Sequence, residues 1–135
     1  MKIKICITSL ILSLFLVSAP LFAHHNFQAE FDRDLPVVVT GTVVRFELTN
    51  PHARLYIQEV DENGETINWN FELTAASNLL RRGWRRDSVN PGDTVTVNAD
   101  RAINHPNVGN ARRVTLINEE GENTIFGQVR DQVQD

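Results

Sequence analysis

Four histidines and one arginine cluster are the residues of this chain whose types and spacing can do chemistry. His24 and His25 stand side by side in "LFAHHNFQAEFD", His52 follows "TNP", and His105 lies in "RAINHPNVGN". Imidazole is the commonest protein ligand for metal ions. If His24 opened a mature chain, it would offer a free α-amine beside its own ring, and that pair of nitrogens can chelate one ion. A second histidine, His52 first and His25 or His105 after it, would complete a three-nitrogen, T-shaped set. Such a set suits copper(II), as in the histidine brace of some exported copper proteins, with zinc as the competitor. The plain account of the same residues is two exposed loop histidines and an unstructured His-His start.

The second cluster is "LLRRGWRRD", with Arg81, Arg82, Arg85 and Arg86 around Trp84. Guanidinium forks beside an indole could hold a phosphate, a sulfated sugar or a nucleotide base. Alternatively, the arginines complement a helix C-terminus, pair with Asp87 and lay their stems over apolar surface, while Trp84 closes the core. In an acidic domain the structural account is the favoured one. Motifs of enzymes are missing: there is no G-x-S-x-G elbow, P-loop, G-x-G-x-x-G or H-E-x-x-H. These absences favour a binding module over an enzyme.

Whether His24 can be a terminus depends on what precedes it. Lys2 and Lys4 make a basic start, Ile5 to Val17 is apolar, Pro20 introduces a cleavage region and Ala23 fits the residue before the cut. The apolar run is short for a membrane span. Cys6 lies inside it, so a lipid-modified N-terminal cysteine is not expected. Residues 1–23 therefore read as a signal peptide, and the protein as periplasmic or secreted with no stable membrane anchor after cleavage. The 112 residues beyond Ala23 contain no cysteine and no lysine, which excludes disulfides and covalent catalysis through either side chain. Their 11 arginines face 17 acids, a net charge of −6 that argues against nucleic acid and against general adsorption to anionic membranes.

From residue 38 onward the apolar period is two. A first strand carries Val44, Phe46 and Leu48 on one face, with a bulge or kink at Gly41. "TNPH" breaks it at Pro51, and a second strand spans 53–60. "DENG" should turn with Asn63 and Gly64 at positive φ. A third strand follows, with Ile67, Trp69, Phe71 and Leu73 on one face. A short helix spans 74–83, from an N-cap at Thr74 to a left-handed stop at Gly83, with Leu79 and Leu80 available for burial. Strands at 94–99 and 111–117 flank a loop at 103–110, and Ile125 and Phe126 dock beyond them. The expected organisation is an N-terminal arm at 24–36, one domain at 37–126 and a flexible tail at 127–135. Strand-strand-strand-helix-strand-strand predicts an all-β fold with one short helix: a five-stranded OB-fold-like Greek-key barrel, with a β-sandwich as the alternative. In an OB-fold the loops joining strands one-two and four-five share one side, and His52 and His105 belong to those loops.

Four stretches together, "AHHNFQAEFD", "GTVVRFELTNPHARLYI", "NWNFEL" and "LLRRGWRRDSVNPGDTVTV", resemble the small exported bacterial proteins grouped as domain of unknown function 6152. The resemblance spans nearly all of residues 23–118 and implies an exported single-domain protein of unassigned function. His105 lies outside the motifs that carry it. The reading at this point is an exported OB-fold-like binding module holding copper through its N-terminal and loop histidines, as a monomer or weak oligomer. The rivals are a small anionic or oligomeric ligand on the arginine cluster, and a protein-interaction module.

Overall fold

Alternation of apolar residues builds most of the strands, and their inward phases meet in one core. A computed structural model describes residues 27–127. A single helical turn, α1 (Phe27–Glu30), precedes six strands and one further helix. These are β1 (Phe31–Glu47), β2 (Arg54–Val60), β3 (Thr66–Glu72), α2 (Ala76–Arg81), β4 (Thr94–Ala102), β5 (Val108–Asn118) and β6 (Gly121–Phe126). The sheet order is β3-β2-β1-β4-β5-β6, antiparallel throughout, and a parallel pairing of β3 with β5 closes the first five strands into a ring. The fold is an OB-fold barrel with α2 between β3 and β4. Among the described residues no helix is long and apolar enough to cross a membrane.

Phe71, Leu55, Ile57, Val95, Val97 and Val114 are fully buried, each worth about 1.5–3 kcal/mol of transfer from water. Phe71 has the inward phase expected of it and stacks on Trp69, with ring centroids 5.4 Å apart. The Trp69 indole reaches out of the core to give its Nε1–H to Glu59 at 2.8 Å. Trp84 is buried against Phe46 and Phe126 and donates its Nε1–H to the Ile125 carbonyl at 2.8 Å. That bond ties the chain after α2 to the last strand.

Several expectations are corrected. Val44 is exposed and Val43 buried, because Val44 is the extra residue of a β-bulge between Val43 and Arg45 in the pairing with β2. An inserted residue reverses the in-out phase, so alternation read straight through it assigns the wrong side. Gly41 lies upstream of this bulge; β2 approaches it so closely that a Cβ would stand 2.3 Å from the Gln58 carbonyl oxygen. β1 begins at Phe31 instead of near Val38, with a second irregularity between Asp32 and Pro36 where alternation is lost. β5 begins at Val108, inside the expected loop, and 121–126 forms a sixth strand instead of merely docking.

The hairpin turn also differs from expectation. Only Gly64 has positive φ; Asn63 does not. The Asp61 carboxylate accepts the N–H groups of Asn63 and Glu65 at 2.9 and 2.8 Å, and Asp61 N–H bonds the Glu65 carbonyl. This is a three-residue loop with a left-handed glycine last. In α2 the N-cap is Ala75, with no side-chain cap, while Thr74 accepts a bond from Asn78 Nδ2. Gly83 does stop the helix: its N–H reaches Leu80 O, and Trp84 N–H reaches Leu79 O, the paired bonds of a Schellman motif. Leu79 is buried, whereas Leu80 is exposed.

Candidate functional site

The connection from β1 to β2 carries His52, and backbone bonds fix it on both sides. Ala53, fully buried, gives its N–H to Thr74 O and receives the Leu73 N–H, extending the β2–β3 ladder one residue past the strands. Upstream, the Thr49 carbonyl accepts the Ala76 N–H. The Asn50–Pro51 peptide between these anchors is cis.

His52 itself is half-exposed, and its Nδ1 lies 2.8 Å from Glu72 Oε1. Glu72 is buried although it carries a charge, and its other oxygen accepts Arg54 Nη2 at 3.1 Å. Arg54 Nη1 also reaches Asn70 Oδ1 at 3.3 Å. A carboxylate oxygen only accepts, so a 2.8 Å contact requires the proton on Nδ1; two opposed lone pairs would repel. In a neutral ring Nε2 is then the bare nitrogen. A metal-ligating histidine has this arrangement as a rule: one ring nitrogen held by a carboxylate, the other free for the ion.

Register organises the rest of the outward face. Glu47, Arg54 and Glu72 are cross-strand neighbours in one row, and Arg45, Tyr56 and Asn70 in the next. Arg45 lies over the Tyr56 ring at 4.2 Å and pairs with Glu47 at 3.2 Å, while Tyr56 donates to Glu47. Both arginines of this face meet an acid. It is not the unpaired cationic track that a nucleic-acid backbone needs.

His105 is exposed in the connection between β4 and β5, whose Asn107 carbonyl accepts the Asn70 N–H. Among the described residues no three His, Cys, Asp or Glu side chains come together to hold a metal. His24 and His25 lie outside the described residues.

In the second cluster Trp84 faces the core, with its indole N–H already used, so it offers no stacking surface beside the guanidiniums. Arg81, Arg82, Arg85 and Arg86 are all exposed, and none pairs with Asp87. Arg85 Nη1 bonds the Trp84 and Leu80 carbonyls at 2.7 and 3.4 Å, and Arg81 bonds the Asn78 side chain.

Sequence reasoning missed Glu72 and Arg54. The signal that finds them is the hairpin count: with Asp61 opposite Glu65, stepping back along both strands sets Arg54 opposite Glu72. A two-residue turn at Asn63-Gly64 would instead shift the register by one and set Arg54 opposite Leu73.

The comparison with curated proteins found no match. Among solved structures the barrel is similar to a mitochondrial single-stranded DNA binding protein from S. cerevisiae, Rim1. The two share 18% identity over 70% of this chain and 82% of that one, with a TM-score of 0.40. The sequence model of the family of unknown function DUF6152 matches residues 12–111, well over half of the sequence, and the chain belongs to that family.

Proposed function

We propose that this protein is an exported, non-enzymatic binding module that holds copper(II) through nitrogen ligands, His52 Nε2 among them. The remaining ligands are the α-amine and ring of His24, exposed by cleavage after Ala23; their part in the reading rests on the sequence. The observation that carries the proposal is the His52 contact with Glu72. A buried carboxylate, itself held by Arg54, engages Nδ1 of the half-exposed ring and leaves Nε2 for an ion. Nitrogen donors and the Irving–Williams order favour copper over zinc.

The test begins with intact mass of protein recovered from the periplasm without an N-terminal tag. Copper(II) is then titrated by calorimetry and EPR, with zinc as competitor. Submicromolar binding with a nitrogen-rich EPR signal, lost in both His24→Ala and His52→Ala, is the expected result. Indifference to both substitutions overturns the proposal, as does a mature chain beginning beyond His24.

A further inference from the structure

The arginine cluster is left unexplained by a metal at His52, and by its own structural account. Complementing the end of α2 needs one cation, and Arg85 already bonds two carbonyls there. The Leu79 and Leu80 carbonyls also receive the Trp84 and Gly83 N–H groups. Arg81 meets only a neutral amide. The side chains of Arg82 and Arg86 make no hydrogen bond or ion pair among the described residues. From residue 80 to 87 every residue but Trp84 is exposed, so the segment is a convex corner.

Charge is unevenly divided between this segment and the rest of the chain. Beyond Ala23, residues 80–87 carry four arginines against Asp87, or +3, while the rest of the chain carries seven arginines against 16 acids, or −9. The net balance argues against indiscriminate adsorption, yet a molecule divided in this way would meet an anionic plane with one corner first. Leu80 stands in the same corner with 45% of its surface exposed, an apolar contact that a soluble polyanion would leave unused.

We propose that the corner formed by Arg81, Arg82, Arg85 and Arg86 with Leu80 is a docking surface for a membrane of anionic phospholipid. Guanidinium forks match phosphate oxygens in bidentate geometry, and Leu80 rests at the headgroup boundary. Each arginine near such a surface raises partitioning about five-fold at moderate salt. The acidic remainder keeps the barrel off the surface. This docking is independent of the metal proposed at His52.

The test is co-sedimentation of the processed protein, its N-terminus read by intact mass, with vesicles of phosphatidylglycerol and phosphatidylcholine or of phosphatidylcholine alone. Binding to the anionic vesicles should be at least about ten-fold stronger and should fall away at high salt. Arg82→Gln/Arg86→Gln touches no internal contact, so it should keep the wild-type circular dichroism and urea midpoint while losing about 25-fold in partitioning. Arg45→Gln, outside the corner, serves as the control and should bind as wild type. Equal binding to both vesicle types, or a double variant that binds like wild type, overturns the proposal. Capture by polyaspartate without vesicle binding also overturns it, in favour of an acidic polypeptide partner.

Discussion

Replacing Glu72 by alanine tests the architecture of the His52 site through two separate readouts. The carboxylate is buried and meets His52 Nδ1 at 2.8 Å and Arg54 Nη2 at 3.1 Å. Removing one partner of a fully buried pair costs about 3–5 kcal/mol. Here the orphaned groups are not fully buried: the Arg54 side chain is 33% exposed and that of His52 50%. Water can replace part of what is lost, so the expected cost is about 1–2 kcal/mol, a shift of roughly 1 M in the urea midpoint. The second readout is the copper affinity proposed for His52. Without the carboxylate the imidazole is free to rotate and to change tautomer, and outer-shell changes of this kind cost about 10–100-fold. Glu72→Gln keeps an oxygen for Nδ1–H and should lose less on both counts. An unchanged midpoint together with unchanged affinity would refute the reasoning. A lowered midpoint with wild-type affinity would leave Glu72 a stabilising residue and end its role in positioning His52.

Two further perturbations follow from the strands that carry this site. Gly41→Ala forces a Cβ to within 2.3 Å of the Gln58 backbone oxygen, which cannot rotate away. Overpacking costs of about 1–3 kcal/mol outweigh the 0.4–1 kcal/mol gained by stiffening the unfolded chain, so urea denaturation should show net destabilisation of about 1–2 kcal/mol; equal or greater stability refutes the close approach. At the β2–β3 turn, the Glu65 N–H bond, with help from the Asn63 N–H and side chain, holds the exposed Asp61 carboxyl below its ordinary 3.8. The folded state thus favours the ionised form, so this contribution is full above the unfolded pKa and is lost as pH falls through the lower folded value. An NMR titration of Asp61 should place its midpoint below 3.8, and Asp61→Asn should flatten the acid limb of the stability profile; a midpoint at or above 3.8 would refute the turn geometry.

What the sequence determined by itself is the order of the first five strands and the helix between the third and fourth, with the inward residues of the regular strands. Trp69 and Phe71 alternate without interruption in β3 and have the expected phase, and Gly83 ends α2 as a residue free to take positive φ should. Local chemistry suffices there, because each signal acts within a few residues of itself. Tertiary structure decided whatever depends on counting across a pair of strands. Val44 turns outward because β2 accommodates one extra residue of β1, and no property of valine announces which of two adjacent valines is the extra one. The Glu72–Arg54 pair exists because the turn at 61–65 takes three residues and not two, a choice made when Asp61 gathers two backbone N–H groups. The sixth strand and the parallel β3–β5 closure join segments distant in the chain, where periodicity carries no information about partners. His52 was legible as a candidate ligand from its residue type and loop; that its ring is held by a buried carboxylate was settled only by register.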